Sequence, residues 1–179
     1  TADVWAEHSI WTQDPQFALA LKGGVTTFHV LPGSANLIGG RGVTAKNLQR
    51  NTINSMKFPN APHSLKMACG ENPKRVYGSR GQAPSTRMGN IAGYRKSWIK
   101  AESYLSKLDE YEAKSDEAKE LSYKPTRDLE LETLAGVLRG DILVHNHCYR
   151  ADEMAMMIDV AKEFNYKITA FHHAVEAYK

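Results

Sequence analysis

The chain has 179 residues, of which 42% are hydrophobic and 24% charged, and a formal net charge of +3. That length supports one sizeable core rather than two, and the composition is that of a globular domain, not a disordered or fibrous chain. A small charge without a Lys/Arg stripe excludes an obvious nucleic-acid footprint, and no apolar run reaches the length of a membrane-spanning helix, so neither partner is expected.

In chain order, Asp14-Pro15 opens a first helix, with Phe17, Ala18 and Leu21 at helical spacing, and Gly23-Gly24 closes it. Val25–Leu31 is a β-branched, apolar run of strand type. Pro32 to about Arg41 reads as irregular and glycine-rich, and Gly42–Lys46 as a weak strand. Residues 47–62 read as loop. Ser64–Ala68 is a short strand ending at Cys69, and residues 73–85 again read as loop. Thr86 caps a long helix expected to run to about Leu121, so residues 87–124 form a long helical segment. Its charged half beyond Lys107 is a solvated protrusion with i,i+4 ion pairs.

Pro125 interrupts this pattern. Asp128 starts a shorter helix that stops at Gly140. Strand Ile142–His147, helix Ala151–Phe164 and strand Lys167–His172 follow, and Ala174–Lys179 has the look of another helix start. Apolar strands alternating with helices predict an α/β domain over residues 1–179, with a parallel sheet and outer helices. Ending on an unfinished βα unit suggests a fragment. The cysteines, Cys69 and Cys148, lack CxxC spacing, and buried free thiols are expected rather than a disulfide. Cytoplasm is the default compartment, with periplasm or secretion left open because the chain begins on Thr1.

Two of these strands end in histidine pairs, His145/His147 and His172/His173. In a parallel βαβ unit consecutive strand ends lie side by side, and ligands bind there. Imidazole is the commonest protein ligand for zinc and similar metals, so a divalent metal, zinc first, is the expected cofactor. The bland alternative is that two of the four satisfy local backbone groups. Lys66 sits centrally in an apolar strand, where an unpaired ammonium is costly; pairing with Glu71 is one escape. His29 and His63 are candidates for the pocket mouth. Arg75 and Arg87 are candidates for a substrate carboxylate. Leu31–Gly40 could cradle an anion with backbone N–H groups, but it is not a P-loop.

Four stretches together resemble the amidohydrolase superfamily, in its imidazolonepropionase-like and prolidase-like branch. Ala20-Leu-Lys-Gly-Gly-Val-Thr-Thr27 looks like the segment leading into the second barrel strand. Leu65-Lys66-Met67-Ala68 looks like the strand that brings a lysine to the metals. Val144-His145-Asn-His147 is similar to the fifth strand, and Phe171-His-His173-Ala-Val-Glu-Ala-Tyr-Lys179 to the sixth. His145-x-His147 also has the form of the first-strand motif, but that motif precedes the GVTT element and here it follows.

The resemblance implies a (β/α)8 TIM barrel with its site at the C-terminal strand ends, of which roughly strands two to six are present. It implies His145 and His173 as metal ligands and Lys66, carboxylated, as a bridge. Glu71 is the substitute ligand, and His147 a metal or substrate residue; His172 is expected to point to the opposite face. The general-base Asp is expected outside this chain. The implied reaction is metal-assisted hydrolysis of an amide-type C–N bond in a small molecule by the full-length parent. The chain alone is expected to be inactive, and to self-associate or to join the remainder of its parent. The alternatives are a catalytically inactive folded fragment and a non-hydrolytic α/β ligand-binding module.

Overall fold

Local capping chemistry sets most helix boundaries in the computed structural model, which describes residues 1–179. The elements in chain order are α1 (Pro15–Lys22), β1 (Thr27–Val30), β2 (Ile38–Lys46), β3 (His63–Ala68), α2 (Glu71–Gly78), α3 (Arg87–Glu112), α4 (Asp116–Glu120), α5 (Leu129–Arg139), β4 (Ile142–Cys148), α6 (Ala151–Glu163) and β5 (Ile168–His173). The Asp14 carboxylate accepts from Gln16 N, the Thr86 hydroxyl from Gly89 N and the Asp128 carboxylate from Leu131 N. Each satisfies a donor that the first helical turn leaves free. Gly140, at φ 85°, ends α5 in the left-handed conformation that glycine adopts without strain.

Three local readings are corrected. Part of residues 73–85 is helical, in α2, because Glu71 and Pro73 both fall in its first turn, where a carboxylate is favoured and a missing N–H costs nothing. The long helix stops at Ala113, and Ser115 caps a separate α4 through Ala118 N. Residues 174–178 form no helix.

The five strands form one sheet in the order β1-β2-β3-β4-β5. β3, β4 and β5 are parallel, but β1 with β2 and β2 with β3 are antiparallel, so the sheet is mixed rather than fully parallel. The β1–β2 connection is too short for the crossover that a parallel pair needs. The sheet curls into a half-barrel.

One face of the sheet carries the core. Leu65, Met67, Val144 and Cys148 pack there against Tyr94, Trp98 and Ala101 of α3, Leu134 and Val137 of α5, and Met154, Met157 and Val160 of α6. Side chains alternate along a strand. Lys66, His145 and His147 therefore face the other way, and the register pairs Lys66 with His145 and Ala68 with His147.

Cys69 and Cys148 are joined in a disulfide, which overturns the expectation of free thiols. β3 and β4 run side by side, and Cys69 N donates to His147 O at 2.8 Å. The two Cα atoms are thereby held 5.3 Å apart, within the span a disulfide bridges.

Candidate functional site

The inner face of the half-barrel gathers five histidines and Lys66. His145 Nδ1 lies 2.9 Å from His172 Nε2. The His29 ring meets His145 edge-on, with centroids 4.7 Å apart, and His29 Nε2 lies 2.7 Å from Ser64 Oγ. His29 belongs to β1, and β2 separates it from β3. Gly42 of β2 permits the crossing. A Cβ there would stand 2.4 Å from Ser64 Oγ, 2.6 Å from Leu31 Cδ2 and 2.9 Å from Val30 O. The glycine-rich strand lets the sheet curl tightly enough for the His29 side chain to reach across β2 to Ser64.

A second group lies further along β4. His147 is buried, and its Nε2 is 3.1 Å from Asn72 Nδ2. Its ring meets those of His173 and Tyr149 edge-on, with centroids 4.6 Å and 4.5 Å away. His147 Nδ1 is buried without a partner.

The face holds cationic groups and no partnering carboxylate, so burial and mutual repulsion favour neutral forms. Burial, then the charges of His29, His172 and Lys66, push His145 down from 6.5 to about 4. Burial, then His173, Lys66 and His172, bring His147 down to about 4 as well. His29 and His172 are lowered, chiefly by burial. Near neutral pH these four imidazoles are uncharged, the form in which imidazole ligates a metal.

Lys66 is buried, and burial lowers its pKa. It does not pair with Glu71. Its ammonium donates to Pro32 O and Ser34 Oγ, both at 3.0 Å. The Leu31–Gly40 stretch thus offers acceptors to a cation, rather than N–H donors to an anion. From Ile38 onward it is strand β2.

The structure moves several expected side chains. His172, expected on the opposite face, is the one against His145. A register shift between Val144 and His145 sets His172 opposite His147, and His173, the last residue of β5 and opposite Cys148, takes a φ of 66°. Arg87 is no part of this face, because its guanidinium pairs with Glu153 at 2.6 Å beside α6. His63 starts β3, at the N-terminal end of the parallel strands, and lies against Trp5. Glu71 and Arg75 are exposed on α2. Asn72, Ser34 and Tyr149 went unassigned from the sequence. Asn72 follows a strand end by way of Gly70, which was the available signal.

As donors, neutral imidazoles and an amine suit a divalent metal such as zinc, and the orphaned Nδ1 of His147 is one unused ligating atom. The arrangement is less complete than the donor types. His29, His145 and His172 meet in one group and His147 and His173 in another, but no three His, Cys, Asp or Glu side chains are arranged to hold an ion.

No family model matches the chain. Amidohydrolase tasK of Hapsidospora irregularis is 36% identical over 191 aligned residues, covering 97% of this chain and 19% of that protein. The crystal structure of an amidohydrolase from Thermotoga maritima superposes with a TM-score of 0.89 at 38% identity, covering 99% of this chain and 44% of that one. The chain therefore spans about a fifth of the first relative and less than half of the second. Over nearly its whole length the chain is similar in sequence to a segment of each of these amidohydrolases, and its half-barrel superposes on the second.

Proposed function

We propose that this inner face is part of a metal-dependent hydrolase site that cleaves an amide-type C–N bond, in a cyclic amide, an N-acyl amino acid or a dipeptide. The observation that supports it is the convergence of His145, His147, His172 and His173 at the C-terminal ends of parallel strands, most of them held neutral by burial. His145 and His173 would hold the ion, with Lys66 and Glu71 as further candidate ligands. A divalent cation, zinc first, supplies Lewis acidity toward a carbonyl and toward water. This chain's residues orient the imidazoles through Asn72 and Ser64 and exclude water behind the buried His147. The general-base Asp lies outside the chain in this reading, and Arg75 is the remaining candidate for a substrate carboxylate.

The test is made on a longer polypeptide that contains these residues. Metal content and hydrolysis of N-acyl amino acids and dipeptides are measured for the wild type and for His145→Ala, His173→Ala and His172→Ala. Loss of metal and activity with the first two supports the reading. Full metal content in both would defeat it.

A second reading is that the chain alone is folded but inactive. Two features favour it: no three ligating side chains are arranged to hold an ion, and the outer edges of β1 and β5 are covered by no strand of this chain. On this reading the chain self-associates or joins further strands through those edges. Sedimentation and a side-by-side assay with the longer polypeptide separate the two.

A further inference from the structure

On the side of the sheet away from the histidines, α3 and α6 enclose a cavity of about 40 Å³ next to Gly70. Asn90 of α3 and Glu153 of α6 line it, and both are buried, at 3% and 6% exposure. Asn90 Nδ2 donates to the Gly70 carbonyl at 2.8 Å. A carbonyl only accepts, so the orientation of the Asn90 amide is fixed. Its oxygen is left buried without a donor. Glu153 is half met. Its Oε1 takes the Arg87 Nε–H at 2.6 Å, while Oε2 faces Cys69 Sγ at 3.9 Å and takes no N–H or O–H. That sulfur belongs to a disulfide and has no proton to give. Two acceptors therefore border one cavity without a donor from the chain, and an unmet buried acceptor is costly.

The rest of the lining limits the kind of donor that fits. Arg87 spends only Nε on Glu153, so its terminal N–H groups are free. The carboxylates are already matched, Glu153 by Arg87 and Asp152 by Arg150, so nothing calls for a cation. Ile91 and the 41% exposed Met156 add apolar surface. We propose that this cavity is a binding site, separate from the histidine face, for the head of a neutral primary carboxamide with a short apolar substituent. Its two N–H bonds meet Asn90 Oδ1 and Glu153 Oε2, its carbonyl accepts a free Arg87 N–H, and its substituent lies on Ile91 and Met156. A primary amide offers two donors and an acceptor from three heavy atoms, which suits a cavity of this size. Asn90 and Glu153 both bear on Gly70: the first holds its carbonyl, and a Cβ on it would stand 2.4 Å from Glu153 Oε2. A filled site therefore steadies the turn that leads into α2.

The experiment is a titration of the nitrogen-15-labelled chain with isobutyramide, followed by NMR at the Gly70 backbone amide and the Asn90 side-chain amide. Saturable shifts at both are expected in the millimolar range, as suits so small a ligand. N,N-dimethylisobutyramide has no N–H and isobutyrate none either, so both should bind about tenfold more weakly or less. Arg87→Lys keeps a cation beside Glu153 but loses the guanidinium fork, and should weaken isobutyramide severalfold. Equal binding of the dimethyl amide overturns the proposal, as does tighter binding of isobutylamine, which would make the site one for a cation. Unchanged affinity in a folded Arg87→Lys overturns it as well. No saturable shift at Gly70 and Asn90 would mean that the cavity holds water only. The ligand series needs no variant, and none of the readouts uses metal or turnover, so failure of the hydrolase reading would leave this result standing.

Discussion

His145 Nδ1 and His172 Nε2 are 2.9 Å apart, so two imidazoles from adjacent parallel strands share a hydrogen bond with no carboxylate to stabilise a charge. Only one proton fits between them, and a second protonation sets two cations against each other. The pair is therefore a neutral device near pH 7 and an acid-labile one below.

The first prediction follows from that lability. The unfolded chain binds protons on His145 and His147 near 6.5, and the folded chain near about 4. Between these values the unfolded state binds more protons, so stability is fully present above pH 6.5 and is lost as pH falls toward 4. For the fully buried His147, a shift of this size corresponds to about 3 kcal/mol at most. Urea midpoints measured from pH 7.5 to 4 should fall through this window. His147→Gln should flatten the profile, and a profile equally steep in that variant would contradict the assignment.

Gly42→Ala tests the curl. The new Cβ would meet Ser64 Oγ at 2.4 Å and Val30 O at 2.9 Å. The hydroxyl can rotate but the carbonyl cannot, so β1 must shift relative to β2. We expect a loss of about 1–3 kcal/mol and a changed environment for His29, read from its ring proton shifts. Gly33→Ala is the control, since nothing lies within 4 Å of its Cβ; comparable stability in the two variants would count against the curl.

Gly70→Ala tests the turn that carries Asn72. Its φ of 72° disfavours a side chain, and a Cβ would stand 2.4 Å from Glu153 Oε2. Both effects destabilise, by about 2 kcal/mol or more together. Adding Glu153→Ala should relieve the clash but not the backbone strain, leaving Arg87 without its partner. A double variant as stable as the wild type would show that the backbone term is negligible.

The disulfide closes a separation of 79 residues. The chain-entropy model assigns a closed loop of that size about 4.5 kcal/mol, as an upper figure. Replacing both cysteines with serine should lower the urea midpoint and bring it near that of the wild type in excess dithiothreitol. A thiol-reactive dye should find no free sulfhydryl in the unreduced, unfolded protein. Stoichiometric labelling there would remove the crosslink.

Much of this chain is legible locally. The caps at Asp14, Thr86 and Asp128 and the stop at Gly140 follow from side-chain chemistry within one helical turn, and the structure uses all four. Strict alternation along β3 and β4 puts Lys66, His145 and His147 on one face, because a strand cannot turn consecutive side chains the same way. Only tertiary structure decided the rest. His172 rather than His173 meets His145 because of a one-residue shift between two strands, which no pattern within either strand reveals. His29 joins the cluster because Gly42, lacking a side chain, lets its ring reach across β2 to Ser64, and Arg87 leaves it because α6 brings Glu153 to it. Cys69 and Cys148 meet because β3 and β4 pair in register across 79 residues. Periodicity and capping are properties of a few neighbouring residues. Register, curl and the choice of partner are set by which surfaces pack, and that depends on the whole chain at once.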